Sequence, residues 1–424
     1  MALTDREPTA IERFLLHLHP INIDQNAIKF TKTFGLGGIN ALLFVLLVIS
    51  GILLRFTYVP TPEGAYNSII YLQNNILFGR LLRNIHHWSA MLMVIASFLH
   101  LIRVYYSQSY YDERSKNWIY GLLLMFLVMF SNFTGYLLPW DQLAYWAVTI
   151  MTSMLEYIPL VGTPLATFFR GGSTVDGVTL LNFYTWHTGV LPLLFVFLMS
   201  MHFWLTRKAK GVQLAKGEKS NMVKTYPNLV VKEVMVALIL LIFVFALSIF
   251  INAPLQDKAS ISISPNPSKA PWYFMGVQEL LLHIHPVFAV FVIPVLIIGL
   301  FFYLPYFKFT DVNKGVWFNS LKGKKMVISS AIFSLVLTLM LILISDLFID
   351  FVTWFSGIPV LISSGLFPFL LYFIPIAVFV YYCKRNGFAK SELFMALVTI
   401  ILVSYLVMMI MGQWFRGENM YLIF

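Results

Sequence analysis

Cysteine is almost absent: the 424 residues contain one, Cys383. That excludes a disulfide, a cysteine-ligated iron–sulfur cluster and a zinc-finger site within the chain. Charge is also scarce, at 11% of residues against 59% hydrophobic, with a mean hydropathy of +0.79. A water-soluble domain of this size could not tolerate so apolar a surface. There is no low-complexity tract. No small-residue cleavage site precedes the first apolar run, which therefore reads as a retained span and not as a removable signal.

What the chain has in quantity is long uncharged runs. A hydrocarbon core of about 30 Å takes about 20 apolar residues per helical crossing. Nine runs qualify, at 34–56, 85–106, 118–138, 184–205, 232–252, 285–306, 326–349, 364–383 and 392–413. If the N-terminus is cytoplasmic, the tail and the loops after spans 2, 4, 6 and 8 hold 22 of the 29 Lys and Arg, the asymmetry that the positive-inside rule demands. The net charge of +10 is then a matter of topology and contact with anionic membrane lipid. Basic residues dispersed among loops argue against a nucleic-acid partner. Residues 9–19 show helical apolar spacing that suits a short surface helix, with His17 and His19 as ordinary surface residues. The basic stretch 207–224 is the natural internal boundary. The expected organisation is a cytoplasmic segment (1–33), a four-helix half (34–215), a second half (216–360), and two last spans with an outward-facing tail (361–424).

Span 2 contains His86 and His100, and span 4 contains His187 and His202. Ionisable groups inside apolar helices are functional by default. At about 100° per residue, a spacing of 14 returns to within roughly 40° of the starting face and a spacing of 15 to within roughly 60°, with about 21–22 Å between the two histidines along the axis. Because both helices run inward, His86 pairs with His187 near the outer side and His100 with His202 near the inner. Facing neutral imidazoles are natural axial ligands for six-coordinate haem iron. The expected fold is thus all-α and polytopic, a four-helix dihaem bundle followed by about five further transmembrane helices. Gly37 and Gly51 on span 1, and Gly121 and Gly135 on span 3, repeat the spacing of 14. Glycine permits a porphyrin edge to lie close against a helix. Arg83, one turn before His86, is a candidate partner for a haem propionate. His87 belongs to another face. No other polar set near mid-membrane outlines a pathway, which argues against a transporter.

The strings RNIHHWSAMLMVIASFLHLIRVYY (83–106), TGYLLPWDQLAYWAV (134–148) and FYTWHTGVLPLLFVFLMSMHFWLTRK (183–208) resemble cytochrome b of the quinol:cytochrome c reductases, including the chloroplast-type subunit. The resemblance is strong over about 30–210 and looser over 220–360; the interval from His187 to His202 resembles the chloroplast-type branch. It implies two non-covalent b haems, quinol oxidation near the outer surface, electron transfer through the haems to an inner quinone site, and coupled proton translocation. It also implies a Rieske iron–sulfur protein and a c-type cytochrome as partner subunits, and a homodimer within a larger complex. Segment 137–146, with Asp141, resembles the surface helix of the quinol pocket. Arg207, Lys232 and Glu233 match positions used around the quinone-reduction site. A bacterial inner membrane suits the fused, nine-span chain.

Three departures stand out. Gly35 occupies the place where chloroplast-type subunits attach an extra haem through cysteine, so no covalent third haem is expected. A ninth span follows where the family typically stops at eight. KAPWYF (269–274) puts Pro271, beside Trp272 and Tyr273, where the family usually has a glutamate that accepts a proton from quinol. Glu279, two turns on, is the expected substitute, with a pKa raised at the mouth of an apolar pocket and His283 and His285 as relays; Tyr273 and Asp141 are the accompanying candidates. The alternative function is a dihaem anchor that passes quinol electrons to one partner without splitting their paths.

Overall fold

In a bilayer a segment must satisfy its own backbone, so long apolar runs become helices, and every expected crossing is one. The computed structural model describes residues 20–218 and 221–423, so the expected surface helix at 9–19 lies outside the described residues. Among the described residues nine helices are long and apolar enough to span: α1 (Leu36–Arg55), α3 (Gly79–Tyr106), α4 (Asp112–Leu137), α7 (Gly177–Lys208), α8 (Thr225–Phe250), α10 (Val287–Tyr306), α11 (Leu321–Leu347), α12 (Leu361–Arg385) and α13 (Lys390–Trp414). Short helices lie between them: α2 (Ala65–Asn75), α5 (Gln142–Met154), α6 (Gly162–Arg170) and α9 (Met275–His283). A two-stranded antiparallel ribbon pairs β1 (Asn22–Asp24) with β2 (Met222–Lys224). It ties the N-terminal segment to the basic connector after α7.

Polar residues set several helix starts. Asp176 accepts from the amides of Val178 and Thr179 in a capping box that opens α7. Asp141 caps α5 through Ala144 N, and Ser320 caps α11 through Gly323 N. Each satisfies an amide that the first turn leaves without an intrahelical partner.

Helices α1, α3, α4 and α7 form the first bundle, α1 packing on α3 and α4 on α7, with α8 closing against α3. Its core layer contains Leu43, Phe44, Met93, Val94, Val128, Phe195 and Val244. These residues sit midway between the two histidine depths and form an apolar layer, with the Phe44 and Phe195 rings 5.3 Å apart. The backbone of α7 is not α-helical throughout: Trp186–Val190 is a π-turn that begins beside His187. A π-turn absorbs one extra residue, so 15 residues along α7 cover nearly the rotation and rise that 14 cover along α3. The spacing mismatch noted in the sequence is thereby removed.

The second unit differs from expectation in two respects. The ninth span is central: α13 packs along α11, against α9 and against α12. A second polar set also exists midway along these helices. Ser404 receives hydrogen bonds from Thr338 and Tyr372 and joins Ser334, which donates to the Ile400 carbonyl. Its members satisfy one another, so the set fastens helices together, as hydroxyls do in membrane interiors, and opens no pathway.

Candidate functional site

The two histidine pairs meet as the spacing predicts. Ring centroids are 6.1 Å apart for His86 and His187, and 6.4 Å for His100 and His202. Two imidazole–metal bonds of about 2.0–2.1 Å, with about 1.1 Å from each nitrogen to its ring centre, require a separation of about 6.3 Å. The donor set and its spacing therefore fit one six-coordinate iron per pair. At the first level, Ser50 donates its hydroxyl proton to the Leu46 carbonyl (2.6 Å), which leaves its oxygen to accept from His86 Nδ1 at 2.9 Å. His187 Nδ1 donates to the Ser131 carbonyl at 3.0 Å and lies 3.2 Å from Thr134 Oγ1. With Nδ1 protonated on both rings, each Nε2 keeps its lone pair for a metal. These hydroxyls escaped the sequence reading. The signal was a Ser or Thr immediately before a slot glycine, in Ser50–Gly51 and Thr134–Gly135.

Each slot glycine backs one histidine ring. A Cβ at Gly135 would lie 2.6 Å from His187 Cε1, at Gly51 3.2 Å from His86 Cε1, at Gly121 3.5 Å from His202 Cε1, and at Gly37 3.8 Å from His100 Cε1. The expectation that these glycines face a porphyrin edge is therefore refined: the space they leave is filled by the candidate ligands themselves.

Two cavities flank these levels. A large one, about 2310 Å³, opens at the second level and is lined by His100, His202, Arg207, Lys232 and Glu233 among others. Three sequence candidates thus share one space with the second histidine pair. Lys232 Nζ donates to the Ile28 carbonyl at 2.9 Å. Arg103, buried one turn beyond His100, lines the same space and was missed. A narrow cleft at the first level lies between α5 (Ala147, Ile150, Met151, Met154) and the segment carrying Ala270, Phe274, Val277 and Gln278.

The Cytochrome b/b6/petB family model matches residues 24–210. Over those residues the chain is similar to the cytochrome b family. The whole chain is also similar in fold to a solved chain described as a hyperthermophilic respiratory Complex III, with a TM-score of 0.66, 22% identity and 95% of each chain covered. That likeness in fold runs beyond the family match, into the helices that carry the cleft.

The remaining sequence candidates line neither cavity. Arg83 donates to the carbonyls of Ala253 (2.9 Å) and Pro254 (2.6 Å). With Asn84, which donates to the Ser248 carbonyl, it satisfies the chain where α8 ends, a structural task in addition to the one expected of it. Asp141 has both carboxylate oxygens engaged, by Ala144 N and Gln256 N, while burial pushes its pKa up against those bonds. Tyr273 is buried with its hydroxyl unpartnered, in the core layer next to the cleft segment.

The largest correction concerns Glu279. It is fully buried and turns away from the cleft toward α13. Arg416 donates to it through Nε (3.0 Å to Oε2) and Nη2 (2.5 Å to Oε1), and His283 Nε2 lies 3.2 Å away. Burial alone would raise its pKa, but hydrogen bonds from His283 and Arg416 and the Arg416 charge hold it below the ordinary 4.5. This reverses the expected raised value. His283 also joins Ser345 at 3.0 Å, and Arg416 reaches Asp346 at 2.7 Å. A depressed carboxylate pKa stabilises the folded state above the unfolded pKa and ceases to do so as pH falls through the folded value. Protection of residues 415–423 against hydrogen exchange is therefore expected to persist from neutral pH to below 4.5 and to fall only under more acid conditions.

Proposed function

We propose that this chain is the cytochrome b subunit of a quinol:cytochrome c reductase, with His86 and His187 holding one b haem and His100 and His202 a second. The observation that carries the reading is the pair of histidine separations, which suit bis-imidazole iron at two depths. The haems, when bound, supply one-electron carriers that join the two depths. The chain's own residues do the rest. Ser50, Ser131 and Thr134 fix the first-level rings, the glycines admit them, and the apolar layer around Phe44 and Phe195 keeps water from between the levels.

Quinol enters between α5 and residues 270–278, on the outer side of a bacterial inner membrane, where the cleft of about 10 Å³ must widen to admit it. Arg207, Lys232 and Glu233 face the quinone site on the cytoplasmic side, where charged groups can bind a carbonyl oxygen or supply protons. The N-terminus is cytoplasmic. A Rieske protein and a c-type cytochrome take the other electron, and the complex is a homodimer. A second reading, a dihaem anchor without bifurcation, is favoured by one observation: none of the residues lining the cleft is titratable. Copurification of a Rieske protein supports the first reading, and its absence from an active complex supports the second.

Ala147→Leu tests the cleft. It should slow quinol-driven haem reduction at least about tenfold by occupying a close-packed slot, with haem content unchanged. Reduction at the parental rate would remove the cleft from the reaction.

A further inference from the structure

Segment 266–283 has two faces. One, through Ala270, Phe274, Val277 and Gln278, forms a wall of the cleft. The other is fastened along its length to the ninth span and its tail. The Tyr405 hydroxyl donates to the Tyr273 carbonyl, and its ring lies so close to Gly276 that a Cβ there would come 2.7 Å from it. Gly412 packs against Met275, where a Cβ would meet Met275 Cε at 2.8 Å. Lys269 Nζ donates to the Gln413 carbonyl at 2.9 Å. Arg416 holds Glu279, and Asn266 exchanges two hydrogen bonds with Asn419.

Backbone, side-chain and ionic ties thus attach the whole segment to residues 405–419. The backbone contact falls at Tyr273, within the wall itself. Reactions that depend on a bound geometry lose rate when a wall shifts by about 1 Å. This geometry gives the ninth span a task that membrane anchoring does not require.

We propose that the ninth span and its tail are the positioning element of the cleft, with Tyr405, Gly412 and Arg416 holding segment 266–283 against α5 at the spacing its occupant needs. The proposal rests on the reading of the cleft as the quinol site. It is tested in the purified complex with Tyr405→Phe, Arg416→Gln and the double variant Glu279→Gln/Arg416→Gln, which removes the buried carboxylate and guanidinium together and leaves the partly exposed Asp346 beside His283. Both haem bands should remain intact. The quinol KM should rise about threefold or more in each variant, while electron transfer from a chemically reduced first-level haem to the second keeps its rate. Unchanged KM in Tyr405→Phe and in the double variant overturns the proposal. Ala147→Leu serves as the control: if it slows quinol oxidation and the ninth-span variants do not, the positioning role alone fails. If it too is without effect, the cleft reading fails and the proposal falls with it.

Discussion

His202→Leu is expected to yield a protein with one haem in place of two, and with the absorbance band of the first-level haem nearly unchanged. The two levels are about 21 Å apart along the helices and share no ligand, and the layer between them is packed apolar side chains. Loss of one ligand therefore leaves the other pair's environment intact. His100→Leu should give the same single loss, and His86→Leu or His187→Leu the complementary one. Haem per polypeptide and the low-temperature optical spectrum check this. Loss of both bands from a monodisperse protein, or of neither, would sink the pairing.

Gly135→Ala should be nearly as damaging as loss of a ligand, although it adds one methyl group to a residue that touches no iron. The new carbon would lie 2.6 Å from His187 Cε1 and within 3.2 Å of both ring nitrogens, so the ring must move and break its hydrogen bond to Ser131. Forcing an extra methyl into a packed site costs about 1–3 kcal/mol; at tenfold per 1.4 kcal/mol, first-level haem affinity should fall by roughly tenfold or more. Gly37→Ala, with 3.8 Å to its nearest histidine atom, should bind both haems normally. Haem titration of the two variants separates the cases, and equal retention would show that the glycines serve something other than the imidazoles.

These contrasts mark what could be read from residues alone. The spans were legible because a bilayer allows few solutions and each needs a long uncharged run. The histidine pairs were legible because helical periodicity converts a spacing of 14 into a shared face. What the residues alone did not show depended on contacts between distant parts of the chain. Arg83 looked available until the carbonyls after α8 took it up, and Glu279 looked like a free carboxylate until Arg416, 137 residues later, arrived on the far side of α13. Nothing in the local string PWYFMGVQELLLH indicates which face of α9 meets the cleft. The short helices α2 and α6 were also poorly legible, since they lie between spans and lack the long apolar run that marks a crossing.

The π-turn at Trp186–Val190 has a consequence for how such chains can change. It stores one residue as a local widening of α7 instead of passing it on as a rotation of everything downstream. An insertion or deletion at that point alters the count between His187 and His202 while the distance between the two histidine pairs stays as it was. Counts of 14 and 15 can then describe the same bundle, and the number of residues between the histidines records the history of one turn of helix more faithfully than it records the spacing of the two pairs.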